Sequence, residues 1–112
     1  MKKIEAVIKS AKLEQVRAAL DEVGVRGMSV SDVRGTGGQK GPKEMYRGAE
    51  HQPEFVVRTK VEVLVGDDRC DVVVGAIQKA AHTGAVGDGK IMVIDVADVV
   101  RIRTGERGAD AI

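Results

Sequence analysis

The run Thr83-Gly84-Ala85-Val86-Gly87-Asp88-Gly89-Lys90 combines residue types and spacing suited to holding an anion. Glycine-rich backbone lets several N–H groups converge on a phosphate, and a lysine beside them adds a point charge. Gly84 to Lys90 fits G-x-x-x-x-G-K, the start of a P-loop. The next residue is Ile91, so the hydroxyl that would ligate magnesium is missing. The context is also reversed. A P-loop leaves a strand and enters a helix, whereas this run leaves a helical pattern and enters a strand pattern. A P-loop NTPase is therefore excluded, while phosphate binding through the glycine backbone and Lys90 is retained. A plain helix-to-strand turn needs one or two glycines, not Gly-Asp-Gly-Lys.

Arg101-Ile102-Arg103 is a second candidate. In a strand both guanidiniums point to the same side, where they can clamp phosphates; the simpler alternative is a solvated edge strand. Gly35-Thr36-Gly37-Gly38-Gln39-Lys40 follows a strand pattern but precedes no helix, so it is a hinge rather than a dinucleotide fingerprint. His51 and His82 have no partners at metal-ligand spacing, and Ser10, Ser29 and Ser31 have no base near them in sequence. Asp67-Asp68 reads as a helix cap rather than a carboxylate dyad. No nucleophile with an oriented base emerges, which argues against an enzyme.

The elements that must position these residues follow from periodicity. Lys3 to Lys9 alternates charged and apolar residues and predicts a strand. Ser10 is a candidate N-cap for a helix with Leu13, Val16, Leu20 and Val23 inward, stopped by Gly24. Met28, Val30 and Val33 frame a looser strand ending at Gly35. Phe55 to Val65 is the strongest strand, with Val57, Thr59, Val61, Val63 and Val65 on one face. Asp67 or Asp68 caps a second helix with Val73, Ile77 and Ala80 or Ala81 inward, and Gly84 ends it. Lys90 to Asp95 is a strand, and Val99 to Arg103 reads as one more. Between the second and third strands, residues 35–54 hold four glycines in Gly35–Pro42 and both prolines of the chain, and show no internal element. So long an irregular loop in a small domain is usually functional or disordered. Residues 104–112 form a polar tail.

The order βαββαβ predicts an α+β, ferredoxin-like domain spanning residues 1–112, with both helices on one face of an antiparallel sheet. The valines of the third strand suggest that neither sheet face is wholly polar, so a homo-oligomer is expected. With 112 residues, one domain is the natural size, and association adds stability to so small a core. Aromatic residues are 2% of the chain and net charge is +1, from 18 Lys+Arg and 17 Asp+Glu. There is thus no broad basic field for nucleic acid or a membrane surface. The single cysteine, Cys70, forms no internal disulfide and is expected to be a small buried hydrophobe. The N-terminus lacks the apolar core of a signal peptide and no run spans a bilayer, so a cytoplasmic location is expected.

Tyr46-Arg47-Gly48-Ala49-Glu50, the Thr83–Lys90 run and Arg101-Ile102-Arg103-Thr104-Gly105-Glu106 together resemble the PII nitrogen-regulatory signalling proteins. The resemblance runs from Lys2-Lys3-Ile4-Glu5-Ala6 to Gly108-Ala109-Asp110-Ala111-Ile112. It implies a homotrimer with nucleotide sites between neighbouring subunits, where ATP and ADP compete. Gly37, Gly38, Gly87, Asp88, Gly89, Lys90, Arg101, Ile102 and Arg103 match nucleotide-binding positions, with Ser29 and Leu64 near adenine and ribose. The resemblance further implies 2-oxoglutarate as effector, bound beside ATP through Mg2+, with Gln39 at the metal and effector position and Arg58 facing the effector's carboxylate. The loop then grips or releases a target through Tyr46, Arg47 and Gly48. The commonest target is an ammonium transporter, with Arg47 plugging its pore; a metabolic kinase or nitrogen-assimilation enzyme is the alternative. Membrane contact would come only through such a protein partner.

The sequence departs from the family pattern at four positions. His51 stands where many relatives have the tyrosine that is uridylylated, and Ala49 where some have a phosphorylated serine. Arg58 replaces the usual lysine, and Gly38 a common arginine near the phosphates. Two other functions compete with this one. A slow ATPase lacks a general base. An RNA-recognition module shares the element order, but its strand aromatics are absent here apart from Phe55.

Overall fold

The computed structural model of the protein describes residues 1–36 and 55–112. Alternation in Lys2–Ile8 sends Ile4, Ala6 and Ile8 to one face, and this segment is strand β1. A 3-10 turn at Ser10–Lys12 leads into helix α1, Leu13–Glu22. Strand β2 is Ser29–Gly35 and strand β3 is Val56–Val65. A second 3-10 turn, Asp67–Arg69, opens helix α2, Cys70–Ala81, and strand β4 is Gly89–Asp95. The sheet order is β2-β3-β1-β4 with every neighbouring pair antiparallel. This is the expected ferredoxin-like α+β plan.

The two helices cover one face of the sheet. Val16 and Leu20 of α1, and Cys70, Val73, Ile77 and Ala81 of α2, pack on Ile4, Ala6, Ile8, Val61, Val63 and Val65. The core is aliphatic, as a chain with so few aromatics requires. Full burial of a side chain such as Ile4, Leu20 or Ile77 contributes about 1.5–3 kcal/mol. Thr59 is buried within this face, and its hydroxyl donates to Ser10 Oγ at 2.9 Å, so the polar group keeps a partner.

The register places Lys3, Glu5 and Val7 on the opposite, open face. Arg58, Lys60, Glu62 and Leu64 share it from β3, and Lys90, Met92 and Ile94 share it from β4. Lys3 Nζ lies 2.8 Å from both Glu5 Oε1 and Glu62 Oε2, with Lys60 3.7 Å from Glu62. Val61, Val63 and Val65 are thus covered by the chain's own helices. The case for a partner on the open face does not rest on them. Apolar residues left exposed in the sheet cluster on the edge strand β4, at Met92, Val93 and Ile94, with Val30 of β2 and Val57 and Leu64 of β3 also exposed.

Several local expectations are corrected. Ser10 does not cap α1; it sits in the preceding turn, and its side chain serves Thr59 instead. Neither Asp67 nor Asp68 makes a side-chain cap on α2; Asp67 takes the α-amino group of Met1 at 2.7 Å. Helix α2 ends at Ala81, before Gly84. Val99–Arg103 is not a strand. Val100 makes one isolated bridge to Arg107, and the chain reverses between them as Gly105 donates to the Arg101 carbonyl at 2.7 Å. No helix among the described residues is long and apolar enough to cross a membrane.

Candidate functional site

The glycine-rich run forms the turn between α2 and β4. Asp88 folds it. One carboxylate oxygen accepts the main-chain N–H groups of Thr83 and Gly84, at 2.8 and 2.9 Å. The other accepts the Thr83 hydroxyl and lies 3.2 Å from Lys9 Nζ. Bonds from the Thr83 hydroxyl and then the Thr83 main chain hold the Asp88 carboxyl well below the usual carboxylate range. Gly87 and Gly89 have φ of 99° and 97°, which side-chain-bearing residues rarely adopt. At Gly89 a Cβ would lie 1.7 Å from the Val7 carbonyl oxygen, so only glycine lets β4 enter beside β1 here. Lys90 follows, exposed, on the open face opposite Val7. Beside it a groove of about 330 Å³ is lined by Val7, Gln78, His82, Asp88, Gly89 and Lys90.

Ser29 and Leu64 lie elsewhere. Ser29 pairs with Glu62 at the start of β2, and β3 continues to Val65 with no β2 partner along Val63–Val65. That unpaired edge opens a groove of about 810 Å³, lined among others by Met28, Ser29, Glu62, Leu64 and Ile112. Lys3 and Glu62 border it, and the lysine ammonium lowers the Glu62 carboxyl's pKa.

Arg101, Ile102 and Arg103 occupy the turn after β4 rather than a strand, so alternation does not set their directions. Arg101 donates from Nη1 to Glu106 Oε2 at 2.7 Å. Its Nη2 donates to the Asp110 carbonyl at 3.1 Å. Ile102 is 99% exposed and Arg103 is exposed. Arg58 is half-buried on the open face, opposite Val33. Gly37, Gly38, Gln39, Tyr46, Arg47 and Gly48 lie outside the described residues, and so does the magnesium expectation, which rests on Gln39. Among the described residues, no cluster of His, Cys, Asp and Glu is suited to a metal.

One chain does not bring the expected nucleotide residues together. Leu64 pairs with Lys3, and Lys90 with Val7, on opposite sides of β1. Four residues of strand separate them by about 13 Å along the sheet, and two inter-strand steps add about 10 Å across it.

A family model described as nitrogen regulatory protein P-II matches residues 1–106. The chain belongs to the P-II family. Among curated relatives, the nitrogen regulatory protein P-II of Azospirillum brasilense is 54% identical over 112 residues, covering 100% of both chains. P-II 1 of Escherichia coli is also 54% identical over 112 residues, with the same full coverage. Arabidopsis thaliana PII, solved bound to citrate, matches with a TM-score of 0.81 at 40% identity, covering 99% of this chain and 91% of that one.

P-II membership makes this a nitrogen regulatory protein, and the fold agrees with it over nearly the whole length. Two residues take roles at the site that no sequence pattern assigns to them. Lys9 supports the Asp88 carboxylate, and Glu106 holds Arg101. Lys9 lies 79 positions from Asp88 in the chain, so only the β1–β4 pairing brings them together.

Proposed function

We propose that the protein is a homotrimeric signal transducer that binds ATP or ADP and, with ATP and magnesium, 2-oxoglutarate, and that it regulates a target through residues 35–54. The observation that carries this reading is the turn at Gly87–Lys90. Its two positive-φ glycines leave backbone close to an exposed lysine at the sheet's end, a setting suited to phosphate oxygens. Gly87, Gly89 and Lys90 would hold the phosphates there, with Arg101 and Arg103 as further cations. Asp88 keeps the turn's shape rather than facing the anion, since its oxygens are engaged by Thr83, Gly84 and Lys9. The distance between this turn and the Ser29–Leu64 groove supports a site assembled from two subunits. The uncovered Met92 and Ile94, beside the ion-paired Lys3, Glu5 and Glu62, give a second copy a surface to cover.

In this reading Gln39 and Arg58 receive the effector, and Tyr46, Arg47 and Gly48 meet the target. The target is an ammonium transporter, with a metabolic kinase or nitrogen-assimilation enzyme as the alternative. The protein acts in the cytoplasm as a regulator rather than an enzyme, and reaches the membrane only through a transporter. Calorimetry with ATP, with ADP, and with ATP plus 2-oxoglutarate and magnesium tests the proposal. Sub-millimolar binding is expected in all three titrations. Absence of binding by either nucleotide refutes it.

A further inference from the structure

We infer that the segment 108–112 is a resident competitor of nucleotide, an internal strap that holds Arg101 and the Ser29–Leu64 groove until ligand displaces it. The inference rests on the nucleotide reading of those residues above. Three observations carry it. First, Arg101 is already engaged. Its Nη1 donates to Glu106 at 2.7 Å, and its Nη2 to the main-chain oxygens of Asp110 and Ile112 at 3.1 and 3.5 Å. A guanidinium clamps phosphate through parallel N–H donors of this kind, so the strap and a phosphate compete for the same nitrogens. Second, Ala111 and Ile112 line the groove that holds Ser29 and Leu64. The strap therefore walls the sugar and base end, where a nucleotide must displace or repack it, while it holds the cation that would meet the phosphates. Third, the strap is lightly held. The 3-10 turn Gly108–Ala111 contains no buried residue, and the Arg101 and Glu106 side chains are 35% and 44% exposed. Segments with few buried contacts open at low cost.

A closed fraction that cannot bind lowers apparent affinity by the open fraction. Exposed ion pairs and hydrogen bonds of this kind bias the equilibrium modestly, so the effect should be about three- to tenfold.

Calorimetric titration of ATP and ADP into three proteins tests this: the full chain, a chain ending at Arg107, and full-length Glu106→Gln. The shortened chain should bind both nucleotides about three- to tenfold tighter, with a smaller gain for Glu106→Gln. In the full chain, saturating ATP should also speed amide exchange at Gly108, whose N–H donates to the Val99 carbonyl at 3.0 Å. Equal or weaker binding by a shortened chain that melts cooperatively overturns the strap. If shortening abolishes cooperative melting, Glu106→Gln and the exchange experiment decide. Unchanged affinity together with unchanged exchange then overturns it. If none of the three proteins binds nucleotide, the nucleotide reading fails, and the strap fails with it.

Discussion

Asp88 turns back on Thr83, taking its main-chain N–H at 2.8 Å and its hydroxyl on the other oxygen. The acid belongs to the motif that sequence pattern assigns to phosphate, yet its lone pairs are spent on the turn itself. Asp88→Asn tests that role. The folded-state pKa is depressed below the ordinary 3.8, so the charge stabilises the fold above pH 3.8, and that contribution is lost as pH falls through the folded value. The variant should melt at a lower temperature than the parent at pH 7. The gap between the two should narrow below about pH 3.8. A gap independent of pH would show that the carboxylate's charge is not what holds the turn.

Gly89→Ala addresses the backbone of the same turn. The added Cβ meets the Val7 carbonyl oxygen at 1.7 Å, and φ of 97° is strained for alanine. The β1–β4 pair must part near Ile8 and Gly89 to admit it. A loss of about 3 kcal/mol is expected from urea unfolding, since the backbone strain and the clash act together. A loss below about 1 kcal/mol would mean that this close approach is not rigid.

The core offers a smaller and cleaner measurement. Thr59 is 3% exposed, and its hydroxyl donates to Ser10 Oγ at 2.9 Å. Thr59→Val keeps the shape and removes the donor. Ser10 is exposed and can turn to water, so the cost should be near that of one ordinary hydrogen bond, about 0.5–1.5 kcal/mol. A double-mutant cycle with Ser10→Ala reads the coupling directly, and zero coupling would contradict the bond.

These residues also show what the sequence could and could not convey. Ile4, Ala6 and Ile8, and Val61, Val63 and Val65, advertise their common face by period-two alternation, because only one face of β1 and β3 meets helices. Val73 and Ile77 do the same at helical spacing. Caps were less legible. Ser10 and Asp67 have capping chemistry, but a 3-10 turn precedes each helix and each side chain finds a tertiary partner instead. Arg101 and Arg103 alternate like strand residues, yet Gly105 and the Val100–Arg107 bridge reverse the chain around them. The Gly87–Lys90 half of the candidate site is spelled out by motif, whereas Ser29 and Leu64 follow from the family resemblance alone. The separation of the two halves across the sheet is set by pairing register, which no local pattern encodes.

Substitution of Arg58 tests whether effector and nucleotide are held by different residues. Arg58 lies on the open face of β3 opposite Val33, within the chain of strand residues that includes Lys60 and Glu62. If it receives a carboxylate of 2-oxoglutarate, a charge-assisted bond worth about 1.5–3 kcal/mol is lost in Arg58→Ala. Effector affinity, measured by calorimetry in the presence of ATP and magnesium, should then fall by about 12- to 140-fold. ATP binding without effector should stay within about twofold, because the phosphates are assigned to Gly87, Gly89, Lys90 and the arginines of the 101–103 turn. Arg58→Lys should recover part of the loss, since it restores the charge without the planar fork. Equal weakening of ATP and effector would place Arg58 in the nucleotide site instead. No change in either would remove it from ligand binding altogether.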